Sequence, residues 1–349
     1  MQKHGLRKRL IVYLLLWFSF GGQVLLAQEK IVVLERMTLD ENFRLHSLDV
    51  DRAGALYFGS FEEIVKLRPD GRRVFQINAR DHGLKMFSDF RVSPTGELIA
   101  MGVIEDPQIS SAETRVLVFS SEGKLLQSLE VSGVAGQRVE PGENGEVFLL
   151  GLKQEPSPHN PEIRTVVYRL NRQGEVLAQI AGTELNLAGQ ALSRNNRGMA
   201  VTKKGLFLMD PASPDVLLHR FSFGGQKLET KSFLAATAKG RANSAPRHVE
   251  STFDYFSSLN SDHFVVAQLS IGDQWQERTV GEGKRQATAR YRPFSHIIQV
   301  ISWDGTVYPI PVENMGLLRA VGRDGLLYFV KTVTMAGRTR TEVVKATLK

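Results

Sequence analysis

Cysteine is missing from the 349 residues of this chain. Its absence excludes disulfide scaffolds, cysteine nucleophiles, thiolate metal sites and a lipidated N-terminal cysteine. Zinc motifs are missing too, because none of the eight histidines stands in an HxH or HExxH spacing. No P-loop, GxGxxG or GxSxG segment occurs. These absences leave the sequence without a motif that identifies a ligand or a reaction.

A long apolar run occurs only near the N-terminus. Four basic residues precede the apolar segment 10–20, and the small residue Ala27 precedes a polar stretch. This order predicts a secretory signal peptide over residues 1–27, followed by a mature chain over 28–349. We therefore expect an exported protein, periplasmic or extracellular, without stable membrane insertion after cleavage. An uncleaved leader, which would tether a sensor domain to the membrane, is the alternative, although the Gly-Gly-Gln sequence at 21–23 interrupts the run.

The charge of the chain is distorted by this leader. Lysine and arginine number 44 and aspartate and glutamate 37, for a formal net charge of +7. The leader holds four of the basic residues and none of the acidic ones, so the mature chain would carry +3. So small a charge gives no reason to expect nucleic acid as a partner.

Two phrases repeat along the rest of the chain. The first is a β-branched stretch, a turn ending in glycine and an aromatic-aliphatic stretch. The second, which follows each of the first five copies, is a strand that runs into an Asp-Gly-like or Gly-Gly-like turn. Because glycine supplies the positive φ of a tight turn, each phrase predicts a hairpin. The first phrase occupies 48–58, 90–100, 138–149, 199–208, 257–266 and 319–329, and the second 64–71, 116–123, 166–174, 217–225 and 298–305.

Two hairpins per copy predict a four-stranded antiparallel sheet, and six copies predict an all-β, six-bladed β-propeller. The sixth copy lacks a fourth strand, while 31–39 is a spare strand, so we expect the mature N-terminal strand to pair with the C-terminal blade and close the ring. The alternative, two β-sandwiches joined near 234–250, leaves the repeated order of turns unexplained. The predicted blades span about 45–80, 87–132, 136–181, 198–234, 255–314, and 317–349 with 30–39.

The phrases resemble those of NHL-repeat and TolB-like six-bladed propellers, in which an Asp/Gly turn precedes a Leu-Tyr-hydrophobic stretch. The resemblance rests on structural positions over nearly the whole mature chain. It implies a fold and does not imply a chemistry, because this architecture carries scaffolds, receptors and enzymes.

Insertions are confined to one predicted face. With strands lettered a to d from the channel outward, the b–c loops and d–a connections lie on one face, called here the loop-rich face. The a–b and c–d turns form the opposite, short-turn face, which we expect to be without function. Variable loops on a rigid scaffold usually carry function. The insertions are 104–114, 152–164, 181–198, 234–252 and 272–294.

The longest b–c insertion, 272–294, mixes aromatic and basic residues. Trp275 and Tyr291 stand among Arg290, Arg292 and other basic residues. Such a set suits an anionic or carbohydrate-like partner, or a protein surface. Its Gly-, Glu-, Lys- and Gln-rich middle, however, favours an irregular, solvated loop.

The innermost strands supply candidates for a channel site. Asp49 and Asp89 stand near Arg91 and Arg138 when the copies are aligned, and we interpret them as a structural ion-pair network. A calcium site, as in lactonase-type propellers, is disfavoured, because calcium takes about six to eight oxygen ligands and the arginines would repel it. It requires Glu140 or Glu250 to turn inward from a loop. The copies are aligned on Val50, Val92, Val139, Val201, Leu259 and Val321.

These observations favour a non-catalytic, monomeric propeller that binds a protein or polysaccharide partner through its loop-rich face, with no cofactor, metal or catalytic residue. The alternative is a metal-dependent lactonase or hydrolase with its site at the mouth of the central channel. His46 at the loop-rich face could act as an acid or base, but a single histidine in a loop is typically only polar. The predicted binding residues are His46, Asp49, Asp89, Arg91, Arg138, Trp275, Arg290, Tyr291 and Arg292.

Overall fold

The computed structural model shows an all-β ring. Among the described residues, no helix is long and apolar enough to cross a membrane. One short 3-10 turn, Arg80–His82, connects the first two blades. The described residues are 30–39, 47–104, 113–155, 162–180, 198–210, 215–233, 251–271, 276–280, 287–291, 294–312, 314–335 and 338–349.

Six four-stranded antiparallel sheets form the blades, each with its strands in the order a, b, c, d. The fold class predicted from the sequence is confirmed. Blade 6 contains β24 (Leu317–Val321), β25 (Leu327–Met335), β26 (Arg338–Leu348) and β1 (Ile31–Thr38). Blade 1 contains β2 (Ser47–Val50), β3 (Leu56–Gly59), β4 (Glu63–Leu67) and β5 (Arg73–Asn78), and blade 2 contains β6 (Leu84–Val92), β7 (Leu98–Ile104), β8 (Thr114–Phe119) and β9 (Leu125–Val131). Blade 3 contains β10 (Val134–Pro141), β11 (Val147–Glu155), β12 (Glu162–Leu170) and β13 (Val176–Ile180), and blade 4 contains β14 (Gly198–Thr202), β15 (Gly205–Asp210), β16 (Val216–Phe221) and β17 (Lys227–Phe233). Blade 5 contains β18 (Ser251–Ser258), β19 (His263–Ile271), β22 (Phe294–Ser302) and β23 (Val307–Val312).

Strand β1 closes the ring as the outermost strand of blade 6. It runs antiparallel to β26, in a register from Ile31 opposite Leu348 to Thr38 opposite Glu342. The Lys30 N–H donates to the Lys349 carbonyl over 2.6 Å just before the strand. Closure therefore joins two segments from distant parts of the sequence through backbone hydrogen bonds, and it covers an edge that would otherwise be exposed.

The turn glycines adopt the conformation that their place in the repeats requires. Gly54 ends the a–b turn of blade 1 with φ of +79°, and its N–H donates to the Asp51 carbonyl over 3.0 Å. Gly71 ends the c–d turn with φ of +83°. Other residues rarely adopt this region, so a glycine at these positions keeps each hairpin short.

Among the described residues, the hydrophobic core is divided into six clusters, one at each junction between neighbouring blades. At the junction of blades 1 and 2, Phe87 and Phe90 pack in one cluster with Tyr57 and Ile64. A Cβ on Gly59 would collide with the Phe90 ring. Each blade is therefore buried on both faces, which explains the nearly continuous apolar stretches of strands b and c.

Basic side chains of one blade bind backbone carbonyls of the next blade near the short-turn face. Lys66 of blade 1 donates to the Ser121 carbonyl of blade 2 over 2.9 Å, and its Nζ lies 4.9 Å from the centre of the Tyr57 ring. Lys231 of blade 4 donates to the Trp303 carbonyl of blade 5 over 2.6 Å and lies 4.7 Å from the Trp303 ring. Burial of apolar surface does not depend on the orientation of the blades, whereas these polar contacts do, so they help to fix how neighbouring blades are oriented.

The long insertion of blade 5 contains a hairpin, so the expectation of an irregular loop is wrong for its described part. Strand β20 (Gln276–Val280) pairs with β21 (Ala287–Tyr291). The ladder of β19 and β22 extends to the Ile271–Phe294 pair just below it. The inserted strands therefore prolong the b–c hairpin, and the β-branched pair Thr279–Thr288 at its middle favours this extended form.

The closure can be tested by moving the strand. A chain that begins at residue 40 should melt at least about 10 °C lower than one beginning at residue 28, because the β26 edge and its core lose their cover. Placing residues 30–39 after Lys349 through an Asn-Gly turn keeps the antiparallel register, so the melting temperature should recover. Equal melting temperatures of all three chains, measured by circular dichroism, would show that the pairing does not stabilise the ring.

Candidate functional site

Carboxylates of the innermost strands bind the backbone of the next blade. Asp49 Oδ2 in β2 accepts the Val92 N–H of β6 over 2.6 Å. Asp89 Oδ2 in β6 accepts the Val139 N–H of β10 over 3.0 Å. Both aspartates are buried at the channel. These side chains therefore satisfy inner-strand amides that have no ladder partner on the channel side.

A second set of contacts gathers the channel arginines around one carboxylate. Arg91 Nε and Arg138 Nη2 each lie 3.0 Å from Glu140 Oε1. Arg91 Nη1 also lies 3.5 Å from Asp89 Oδ1. The structure thus brings the four channel residues predicted from the sequence into one cluster, together with Glu140.

The cluster shifts the pKa values of its carboxyls in opposite directions. Burial raises the pKa of Asp49, against the pull of Arg91, Arg323 and two backbone amides. Burial would also raise the pKa of Glu140, but Arg91, Arg138 and Arg323 outweigh it and hold that pKa below its usual value. Glu140 is therefore the central anion, whereas Asp49 serves chiefly as an acceptor for backbone amides.

Glu140 occupies a strand position that the sequence alignment missed. It lies in β10 rather than in a loop, and Pro141 after it pairs with Val147 as Val50 pairs with Leu56 in blade 1. Aligning blade 3 on Val139 placed this blade two residues out of register. The available signal was the turn glycine, which follows Val50, Val92, Pro141 and Val321 by the same four residues.

Blades 4 and 5 line the channel with smaller and hydroxylated residues. Arg138 Nη2 reaches past the inner strand of blade 4 to the Phe256 carbonyl of blade 5 over 2.9 Å. The inner strand of blade 4 has Gly198 and Ala200 at the corresponding level. Tyr255, also missed in the sequence, accepts the Val321 N–H of blade 6 at its hydroxyl over 2.9 Å. The channel is consequently charged on one side and hydroxyl-lined on the other.

A cavity of about 470 Å³ lies at the mouth of the channel on the short-turn face. Asp49, Arg91, Glu140 and Tyr255 form its inner wall. The a–b turns of all six blades thus surround a polar depression on the face that the sequence predicts to be without function, and that expectation stays a prediction. The turns are represented in its lining by Arg52, Pro94, Glu143, Lys203, Asn260 and Gly325.

The remaining predicted residues lie apart from this cluster. Arg290 and Tyr291 belong to β21, beyond the opposite end of blade 5. Successive residues of a strand alternate between its faces, so these two hold register positions on different faces of the hairpin. His46, Trp275 and Arg292 lie outside the described residues, as does Glu250. The six described residues of the predicted binding set therefore lie in two places, four in the channel and two in the β20–β21 hairpin.

The channel carboxylates do not fit a divalent-cation site. Glu140 does turn inward, but its Oε1 is held by two arginines, and both oxygens of Asp49 accept backbone N–H groups. Within the described residues, no group of three or more His, Asp or Glu side chains has the arrangement of a metal site. A hard cation would have to displace guanidinium groups from its oxygen ligands.

Comparisons with known proteins show the fold and no closer relationship. No family model and no curated protein matches the chain, so the resemblance to NHL-repeat and TolB-like propellers stays a prediction. The chain is similar to a luciferin-regenerating enzyme at 11% identity and TM-score 0.51, covering 91% of this chain and 95% of that one. It is similar to a member of the DUF4221 family from Bacteroides vulgatus at 11% identity and TM-score 0.51, covering 92% and 99%. A gluconolactonase from Xanthomonas campestris has 14% identity and TM-score 0.47, with 89% of each chain covered. The two likenesses with a TM-score of 0.51 show the fold alone.

The contribution of the channel ion pairs to the free energy of unfolding can be measured by substitution. Arg91→Met should lower the free energy of unfolding by about 3–5 kcal/mol, because it leaves buried carboxylates without their partner. Arg36→Met, which breaks an ion pair with Glu342 on a side chain that is 42% exposed, should cost only about 0–1 kcal/mol. Urea unfolding of both variants measures the difference. Equal costs would mean that the channel cluster contributes no more than a surface pair.

Proposed function

We propose that this chain is an exported, non-catalytic β-propeller that binds a polysaccharide or protein partner through its loop-rich face. The observation that supports this proposal is the extension of b–c hairpins beyond the blades on that face. In blade 5, the β20–β21 pair follows the end of the β19–β22 ladder. Paired strands lose less conformational freedom on binding than an open loop does, so they suit a recognition surface.

Two other blades extend their b–c hairpins in the same direction. In blade 3 the paired strands reach the Glu155–Glu162 pair, and in blade 6 they reach the Met335–Arg338 pair. The blade 6 hairpin is anchored where Glu342 Oε1 lies 3.0 Å from Lys331 Nζ and 2.8 Å from Arg36 Nη1. The extended b–c hairpins of blades 3, 5 and 6 are called here the arms. They support a rigid, uneven surface rather than a set of independent loops.

The blade 3 hairpin ends in an acidic pair, Glu155–Glu162, but the charge of the blade 5 and blade 6 hairpins favours an anionic partner. Strands β20 and β21 contain Arg278 and Arg290 against Glu277, and the outer part of the blade 6 hairpin contains Arg338 and Arg340. Arginine binds carboxylates and sulfates in a bidentate geometry and stacks on planar or aromatic groups. A polyuronate or an acidic protein surface therefore fits better than a neutral polymer.

The alternative, a metal-dependent lactonase or hydrolase with its site in the channel, has less support. It needs carboxylate oxygens that are free to converge on a cation or a reacting water. The described channel oxygens instead accept backbone amides and guanidinium groups. The channel cluster is better explained as the structural centre of the ring.

The binding proposal can be tested with defined polymers. The mature chain should bind alginate, bind poly-L-glutamate more weakly, and leave neutral dextran unbound. The double variant Arg278→Glu/Arg290→Glu should weaken alginate binding by at least about tenfold, because it reverses two charges on the hairpin. Arg72→Glu makes the same kind of change on the short-turn face and should have no effect. Biolayer interferometry measures the affinity of the unsubstituted chain, the double variant and Arg72→Glu for alginate. If the double variant binds alginate as tightly as the unsubstituted chain does, the proposed surface is wrong.

Calcium titration separates the binding proposal from the hydrolase alternative. We expect no one-to-one heat of calcium binding that depends on Asp49 or Asp89, and Asp49→Asn and Asp89→Asn should leave alginate binding intact. Isothermal titration calorimetry in a chelator-treated buffer provides the measurement. A stoichiometric calcium heat that Asp49→Asn removes would favour the metal-dependent enzyme.

A further inference from the structure

A second cavity, of about 160 Å³, lies between blades 2 and 3 on the short-turn face. The a–b turn of blade 2 supplies Glu97 to its lining, and the c–d turn of blade 3 supplies Arg172. The outermost strand of blade 2, β9, contributes Leu126, Gln127 and Leu129. This blade 2–3 cavity shares no lining residue with the cavity at the channel mouth, so it is a separate feature of the ring.

The blade 2–3 cavity occurs where strand c of blade 2 departs from the pattern of blades 1 and 3. At the strand position that pairs with the second residue of strand b, blade 1 has Lys66 and blade 3 has Arg169. Each donates to a carbonyl of the next c–d turn, Lys66 to Ser121 over 2.9 Å and Arg169 to Phe223 over 3.2 Å. Blade 2 has Val118 at this position. Because valine is much shorter than lysine or arginine, it leaves open the space that a basic side chain fills in the other two blades.

The polar groups around the opening are available to a ligand. Glu97 Oε2 accepts the Thr95 hydroxyl over 3.1 Å, but no lysine or arginine of the described chain pairs with this carboxylate. The Arg172 guanidinium lies over Gly145, where an added Cβ would collide with it, and it forms no ion pair with a described residue. The half-buried Gln127 lines the cavity beside them. The opening therefore presents one carboxylate and one guanidinium whose charges cancel but which are not paired, so it favours a ligand that carries both charges.

The floor of the blade 2–3 cavity is apolar. Ile99 and Val118 of blade 2 face Val147 of blade 3 across it, with Leu129 below the opening. Leu126 lies at the entrance and is 53% exposed. A cavity of about 150 Å³ is large enough for one benzene ring, so this one has room for a branched aliphatic side chain. Such a side chain would remove apolar surface of the floor from water, which stabilises the complex.

We infer that the blade 2–3 cavity binds a free aliphatic amino acid such as leucine. Glu97 would pair with its ammonium group, Arg172 would pair with its carboxylate, and its side chain would lie against Val118 and Leu129. A fatty acid would leave Glu97 without a partner, an aliphatic amine would leave Arg172 without one, and an internal residue of a peptide has neither charge. A sugar would place hydroxyls against the apolar floor. This site lies on the face opposite to the polymer-binding surface proposed above and does not depend on it.

Leucine is the probe, and three analogues each lack one of the recognised groups. Leucinamide lacks the carboxylate, N-acetyl-leucine lacks the ammonium group, and glycine lacks the side chain. The mature chain should bind leucine with one-to-one stoichiometry in isothermal titration calorimetry, at least about tenfold tighter than each analogue.

Substitutions test each contact separately. Arg172→Gln and Glu97→Gln should each weaken leucine binding by at least about tenfold, because each removes one charge-assisted contact. Val118→Lys introduces the basic residue type that blades 1 and 3 have at this position, so it should fill the cavity and abolish leucine binding without lowering the melting temperature. Arg72→Gln and Glu143→Gln neutralise exposed charges in other turns of the same face and should leave leucine affinity unchanged.

Three results would overturn the inference. If leucine produces no heat at millimolar concentration, the cavity is not an amino-acid site. If leucinamide and N-acetyl-leucine bind as tightly as leucine does, the charged groups do not recognise the ligand. If Val118→Lys binds leucine with unchanged affinity, leucine binds elsewhere on the chain. Thermal melts of each variant distinguish lost binding from lost folding.

Discussion

Pairing of β1 with β26 is the constraint on which the rest of the ring depends. Each blade is buried on both faces only because it has a neighbour on each side, and the junction between blades 6 and 1 includes side chains of the N-terminal segment. Its cluster combines Met37 and Leu39 from the N-terminal segment with Val343 of β26 and the strands of blade 1. A missing fourth strand would therefore weaken the contact between the first and last blades as well as one sheet.

The channel arises from the same ring geometry. Six innermost strands around an axis present amides and side chains to a shared central space. Blades 1 to 3 fill it with a buried arginine–carboxylate cluster, whereas blade 4 leaves room with Gly198 and Ala200. Buried charges are costly unless each is paired and hydrogen-bonded, so these contacts are tightly interdependent. The asymmetry explains why the cavity at the mouth is charged on one wall and hydroxylated on the other.

The fold was predictable because its signals are local. Turn glycines such as Gly54 and Gly71 need positive φ, and they recur at regular intervals in the printed sequence. The candidate site was only partly predictable, because it depends on register between blades. Asp49 and Arg91 were found by alignment, but Glu140 was assigned to a loop because blade 3 was aligned on an apolar residue instead of its turn glycine. The hairpin β20–β21 was missed because the expectation of an irregular loop was based on amino-acid composition and not on possible pairing between its strands.

Because the ring is closed by β1, the first strand of the chain, closure can occur only after the last blade has been synthesised. The Arg36–Glu342 contact joins residues 306 positions apart, which makes this pairing extremely non-local. While the intervening blades are synthesised, β1 has no partner, and Ile31 and Met37, which pack against core clusters in the folded ring, are exposed. Non-local strand pairing is slow, and an unpaired strand invites intermolecular association. A chaperone that shields this segment until the ring closes would shorten the interval in which nascent chains can aggregate.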